Sequence, residues 1–65
     1  MIIVNKYRWD ANSHNGEWKL YRTVQVTEEK AIAAIEKYKN NPTMDFYMYQ
    51  IGTAIIFCSD ANLFD

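Results

Sequence analysis

The sequence predicts an α+β fold, a two-layer sandwich in which one helix packs on a four-stranded, mainly antiparallel sheet. Two pairs of segments have the period-two alternation of β-strands, and each pair encloses a turn-forming glycine. A single segment between the two pairs has the apolar period of a helix. The order is therefore ββαββ. With 65 residues, the chain is expected to form a single domain, residues 1–65, near the lower size limit for folding without disulfides or metals.

Residues 1–26 have the pattern of a long β-hairpin. Asn15 and Gly16 are the favoured pair for a type I′ turn, because both residue types tolerate positive φ. This turn predicts three cross-strand pairs: His14 with Glu17, Trp9 with Arg22, and Tyr7 with Val24. In the second of these pairs, the Arg22 guanidinium would lie over the indole of Trp9 as a cation–π contact.

The register of this predicted hairpin divides it into an apolar and a polar side. The apolar side carries Ile3, Tyr7, Trp9, Trp18, Leu20, Val24 and Val26. The polar side carries Lys6, Arg8, Asp10, Lys19, Tyr21, Thr23 and Gln25. A division of this kind is typical of a hairpin with one face on the core and the other in water.

Residues 28–39 are the predicted helix. Thr27 is a favourable N-cap, and two glutamates follow it in the first turn, where the helix dipole favours negative charge. The residue before Pro42 is disfavoured in the helical region, so the helix should end near Asn40. The apolar stripe consists of Ala31, Ala34, Ile35 and Tyr38, widened by Ile32.

Residues 45–51 and 53–59 form the second predicted hairpin, with Gly52 at the first position of a type II′ turn. Both of its sides are apolar, which is typical of strands in the centre of a covered sheet. One side carries Tyr47, Tyr49, Ile51, Ile56 and Cys58, and the other carries Phe46, Met48, Ile55 and Phe57. In the tail, Leu63 and Phe64 are apolar enough to pack on the rest of the chain.

One helix is too small to cover both faces of this sheet. A helix of about 12 residues is roughly 18 Å long and 10 Å wide, and it shields at most one face of a sheet roughly 15–20 Å across. We expect the side of Tyr47 and Tyr49 to be the exposed one, because tyrosine can bury its ring while its hydroxyl stays in water. The alternative is that loops and the tail cover this side, and that the remaining apolar surface is ordinary.

Composition is typical of a globular protein rather than of a disordered or membrane-spanning one. Hydrophobic residues make up 49% of the chain, and no apolar run approaches the length of a membrane span. Cys58 is the single cysteine, so no internal disulfide can form, and the first residues lack the features of a signal peptide. These features predict a reduced, cytoplasmic location.

The sequence contains no recognisable catalytic set, so we predict that the chain is not an enzyme and has no metal or cofactor. His14 is the single histidine, and no group of residues has metal-ligand spacing. Cys58 lies in an apolar strand, where burial makes a thiol unreactive. Two glycines far apart cannot form a phosphate-binding loop.

These observations favour a small, non-enzymatic protein-interaction module that docks another protein, or its own copy as a homodimer, through an aromatic sheet face. In size, the chain is similar to small inhibitors and adaptors carried by phages and mobile elements. A membrane partner is not expected. The residues predicted to bind the partner are Tyr47, Tyr49, Ile51 and Ile56, together with Tyr21, Arg8, Lys6 and Lys19 of the first hairpin.

The alternative function is binding of single-stranded nucleic acid through the basic first hairpin. Aromatic side chains on a sheet can stack on bases, and basic residues can bind phosphates. The net charge of −1 and the pI of 5.7 favour a protein partner instead, since binding to phosphates needs an excess of positive charge.

Overall fold

The computed structural model describes residues 1–40 and 46–64, and it confirms the predicted α+β sandwich with the order ββαββ. In this part of the chain, the strands form one antiparallel sheet with the spatial order β2-β1-β3-β4. The elements are β1 (Ile2–Asp10), β2 (Glu17–Val26), α1 (Glu28–Tyr38), β3 (Tyr47–Ile51) and β4 (Ala54–Cys58). The predicted helix-ending pair Asn41-Pro42 and the start of the second hairpin at Asp45 lie outside the described residues.

The sheet places β1 and β3 in its centre, so only one strand of the second hairpin is central. β3 pairs with β1, with Val4 opposite Ile51 and Lys6 opposite Tyr49. β4 is an edge strand, although both of its sides are apolar. The helix packs on the half of the sheet that contains β4.

The observed register of the first hairpin differs from the predicted one. Trp9 lies opposite Trp18 rather than Arg22, and the loop between the strands therefore spans six residues, 11–16. The predicted type I′ turn is wrong, because Asn15 does not have the positive φ that this turn requires. The cation–π contact between Arg22 and Trp9 was expected only because the predicted register paired these two residues. In the observed register, Arg22 lies opposite Lys6.

Polar groups within the loop explain why the longer connection forms. The Asp10 carboxylate accepts a hydrogen bond from the backbone N–H of Asn12 at 2.9 Å. The carbonyl of Ser13 accepts one from the backbone N–H of Gly16 at 3.1 Å. Local acceptors of this kind stabilise turns other than the two-residue turn. The prediction of a type I′ turn did not consider these bonds.

A β-bulge interrupts the first hairpin between Lys6 and Tyr7 of β1. Arg22 is opposite Lys6 and Leu20 is opposite Tyr7, so Tyr21 is the extra residue on β2. Because side chains alternate along a strand, one extra residue reverses the side on which all following residues lie. The predicted apolar side is therefore divided, with Val24 and Val26 facing the helix and Trp18 and Leu20 facing away from it.

The core lies between the sheet and the helix. Its buried hydrophobic residues are Val4, Val26, Ala31, Ala34, Tyr49, Ile51, Ile56 and Cys58. Thr27 caps the helix as predicted, accepting a hydrogen bond from the backbone N–H of Lys30 at 3.3 Å.

The tyrosine side of the second hairpin is the covered side, so the prediction that it is exposed is wrong. Tyr49 is completely buried. Its hydroxyl donates a hydrogen bond to the backbone carbonyl of Asp60, so the phenol has a partner without contacting water. The tail packs over this side, with the Phe64 ring 6.2 Å from that of Tyr49, and the Tyr21 hydroxyl donates to the Ala61 carbonyl at 3.3 Å.

The two glycines of the chain allow a matched test of how Trp9 packs against the loop between β1 and β2. Both have positive φ, +72° for Gly16 and +61° for Gly52, and the latter confirms the predicted type II′ turn. A Cβ at Gly16 would overlap the Trp9 indole, whereas a Cβ at Gly52 would meet no atom within 4 Å. Left-handed backbone should cost either alanine variant about 1–2 kcal/mol.

We expect Gly16→Ala to lower the free energy of unfolding by a further ~1–3 kcal/mol relative to Gly52→Ala, because the indole must move. Chemical denaturation of the two variants and the parent measures this difference. Equal losses in the two variants would show that Trp9 does not pack against Gly16.

Candidate functional site

The sheet face opposite α1 carries no covering element in the part of the chain that the structure describes. We call it the open face, and the strand register assigns twelve residues to it. They are Ile3, Asn5, Tyr7 and Trp9 of β1, Trp18, Leu20, Thr23 and Gln25 of β2, Met48 and Gln50 of β3, and Ile55 and Phe57 of β4.

None of these twelve residues is charged. The charged residues of the strands all lie on the helix side of the sheet, some of them at the end next to the loop between β1 and β2. They are Lys6, Arg8, Asp10, Glu17, Lys19 and Arg22. A sheet face in contact with water usually carries the polar and charged residues of its strands, so this distribution is the reverse of the usual one. The centre of a protein–protein interface, by contrast, is depleted of charge and enriched in aromatic residues and methionine.

Three aromatic rings form a continuous row on the open face. The rings of Trp9 and Trp18 meet edge to face, with their centroids 5.3 Å apart. The ring of Phe57, on the opposite edge strand, lies 5.8 Å from that of Trp18. All three side chains are only partly buried. Aromatic side chains held by their neighbours offer a large contact area and lose little conformational entropy on binding.

Polar side chains in the middle of the open face bond to one another. The Thr23 hydroxyl donates to the Asn5 side-chain oxygen at 2.9 Å. The Asn5 amide donates to the Gln50 side-chain oxygen at 3.3 Å, and the Tyr7 hydroxyl donates to the same oxygen at 3.4 Å. Since these groups already have partners, removing them from water costs less than it would for groups without partners.

Apolar side chains surround this polar group. Ile3, Leu20 and Ile55 are 54%, 55% and 54% exposed, and they lie on three different strands. Single exposed hydrophobic residues are ordinary, but an apolar patch that extends across a sheet is typical of an interaction surface.

None of the eight residues predicted to bind a partner lies on the open face. Tyr49, Ile51 and Ile56 are buried in the core, so in the folded chain they do not reach a partner. Tyr47 is partly buried and packs its ring 6.2 Å from that of Tyr21, which is 42% exposed on the helix side.

The basic residues predicted for the site lie on the helix side as well, with Arg8 directly opposite Lys19 on the neighbouring strand. Lys6 is completely buried, with its Nζ 5.9 Å from the centre of the Tyr49 ring. Lys19 Nζ lies 2.9 Å from an Asp10 oxygen and 3.6 Å from a Glu17 oxygen. The hydrogen bond from Lys19 lowers the pKa of the Asp10 carboxyl and raises that of the Lys19 ammonium. Arg8 is exposed, and a continuous basic surface for phosphates does not result.

The sequence pattern contained a signal for the open face that the predictions did not use. Ile3, Tyr7 and Trp9 were correctly placed together on one side of β1, and the charged residues of β1 on the other. The prediction did not consider Val4, which lies on the same side of β1 as the charged residues and is buried in the core. Its burial shows that this side faces the helix.

Residues 1–40 and 46–64 contain no group of three or more His, Cys, Asp or Glu side chains placed to hold a metal ion. His14 lies on the exposed loop, and the buried thiol of Cys58 donates a hydrogen bond to the Asp60 carbonyl, with Sγ and the oxygen 3.6 Å apart. No helix among these residues has both the length and the apolar character that crossing a bilayer requires.

Comparisons of the chain with protein-family models, with curated proteins and with solved structures find no match.

The buried phenol of Tyr49 makes the free energy of unfolding depend on pH in the alkaline range. Burial raises the pKa of Tyr49 well above its usual value, and the nearby Tyr21 hydroxyl raises it further. The folded state therefore favours the neutral phenol, and its contribution to stability is complete below the unfolded pKa of about 10. We expect that contribution to be lost progressively as pH rises above this value.

Tyr49→Phe should lower the free energy of unfolding at pH 7 by about 1 kcal/mol, because the hydrogen bond to Asp60 is lost. Above pH 10 its stability should fall less steeply than that of the parent. Urea denaturation across pH 7–11 tests both expectations, with Tyr38→Phe on α1 as the matched control. Identical pH profiles for the two variants would contradict the role assigned to the Tyr49 phenol.

Proposed function

We propose that this chain is a small, non-enzymatic protein-interaction module that docks a protein surface on its open face. The observation that carries the proposal is the absence of charge at all twelve positions of that face, while the six charged strand residues lie on the other side. Solubility alone would favour the opposite arrangement.

The composition of the open face supports a protein as the ligand. Trp and Tyr are enriched among the residues that dominate the binding energy of protein interfaces, and Trp9, Trp18 and Tyr7 all lie on this face. Exposed Leu20 and Ile55 extend the apolar surface to both edge strands, so a flat partner could contact the full width of the sheet.

An inhibitor or adaptor role suits such a module, because masking or bridging a target needs a contact surface and no chemistry. A cytoplasmic location is consistent with the buried thiol of Cys58, the single cysteine of the chain, which a reducing compartment would preserve. The nucleic-acid alternative has less support than it had from the sequence. One of its basic residues, Lys6, is buried, and another, Lys19, is paired with carboxylates.

Two isoleucines with nearly equal exposure allow a controlled test. Ile55 on the open face is 54% exposed, and Ile32 on the helix is 52% exposed. A lysine at either position can keep its charge in water in the free chain, so both variants should fold as the parent does. Only the Ile55→Lys variant places a charge on the proposed docking surface.

We expect Ile55→Lys to weaken partner binding by at least about tenfold and Ile32→Lys to leave it unchanged, because only the first desolvates a charge on binding. The parent and both variants serve as baits for proteins of the source cell, and a differently tagged copy of the chain is added as a further candidate. Each retained protein is then purified and titrated against all three baits, with far-UV circular dichroism as the check on folding. Equal affinity for all three, or no protein retained by the parent, would contradict the proposal.

A further inference from the structure

We infer that the partner on the open face is a second copy of this chain, packed sheet against sheet in a helix–sheet–sheet–helix dimer. The inference rests on the proposed function, since it uses the same surface and names its occupant. Four properties of the described residues support it: the distribution of charge, the internal bonding of the polar groups, the condition of the sheet edges, and the area of the face.

The distribution of charge suits self-association. In a two-fold symmetric interface, the same patch is present on both sides, so charged residues near the axis meet residues of the same sign. The open face avoids this repulsion because none of its twelve residues is charged. The six charged strand residues lie on the opposite side of each sheet, away from the contact between the two copies.

The polar side chains of the open face make few demands on the surface that covers them. Thr23, Asn5 and Gln50 are bonded to one another, and Tyr7 donates to Gln50. An uncharged, largely apolar surface can cover the groups that take part in these bonds without supplying specific partners. The open face of a second copy is such a surface.

The sheet edges are less suited to pairing two copies than the open face. β2 has the bulge at Tyr21 and carries Glu17, Lys19 and Arg22, which are devices that protect an edge strand from pairing. β4 is only five residues long. Of the two edges and the open face of the sheet, the open face is therefore the better suited to a contact between two copies.

The area of the open face sets the expected strength of the dimer. β1 and β2 have nine and ten residues, and β3 and β4 have five each. With a rise of ~3.3 Å per residue and a strand spacing of ~4.8 Å, the face measures roughly 450 Å² in projection. Two such faces bury about 900 Å² in projection and more over the relief of the side chains, which is close to the lower limit of ~1,000 Å² for a specific interface. An interface of this size is at the weak end of the range, so we expect a dissociation constant in the micromolar range.

The two tryptophans make this contact directly observable. The chain contains only Trp9 and Trp18, and both lie on the open face. Face-to-face association removes their indoles from water, so their fluorescence emission should shift to shorter wavelength as the dimer forms. Pairing through a sheet edge would leave the indoles as exposed as they are in the monomer.

The experiment combines sedimentation equilibrium with tryptophan emission over chain concentrations from about 1 µM to about 1 mM. We expect the parent to convert from monomer to dimer in this range, with the emission shift following the dimer fraction. Ile55→Lys and Leu20→Lys should each raise the dissociation constant at least about tenfold, while Ile32→Lys should behave as the parent does.

A parent that stays monomeric to the highest concentration would overturn the inference. A dimer that forms without an emission shift, or that Ile55→Lys and Leu20→Lys leave intact, would overturn it as well. The inference can fail while the proposed function stands: a monomeric parent that binds another protein, with the loss of binding confined to Ile55→Lys, excludes the second copy as occupant and keeps the docking surface.

Discussion

The bulge at Tyr21 is the constraint on which the surface of this protein depends. Side chains alternate along a strand, so one extra residue in β2 reverses the side on which the rest of that strand lies. Val24 and Val26 therefore pack on the helix side, whereas Trp18 and Leu20 lie on the open face. In a regular hairpin with the same pairing at Lys6, these two residues would lie on the helix side, and the aromatic row of the open face would not form.

The helix side depends on a second constraint, which is that its polar groups need partners in a buried environment. The Tyr49 hydroxyl reaches the carbonyl of Asp60, and the thiol of Cys58 donates to the same oxygen. These bonds connect the tail to the sheet, and Phe64 then packs against the Tyr49 ring. The tail thus completes the cover that α1, packed on the half of the sheet that contains β4, begins.

Together, the two constraints explain why the open face stays uncovered. A chain of 65 residues has one helix and a short tail in its described part, and both are used on the helix side. The remaining aromatic surface costs free energy in water, and association is a general means by which small domains recover it. Stability and binding are then linked through the same side chains, because a partner that covers the open face also stabilises the folded chain.

The sequence by itself determined the type and order of the elements, because these follow from local patterns. The period-two and helical alternations, the N-cap at Thr27 and the glycine turn at Gly52 all act within a few residues and were predicted correctly. It also indicated that one apolar side would stay uncovered, since that follows from the number of residues available.

The tertiary structure decided which side is covered and which residues form the candidate site. The loop bonded by Asp10 and the bulge at Tyr21 set the register of the first hairpin, and both depend on contacts that alternation along one strand does not encode. Burial of Tyr49 depends on the Asp60 carbonyl, eleven residues away along the chain. A tyrosine is stable in water or in a core that satisfies its hydroxyl, so only the folded chain could decide between the two.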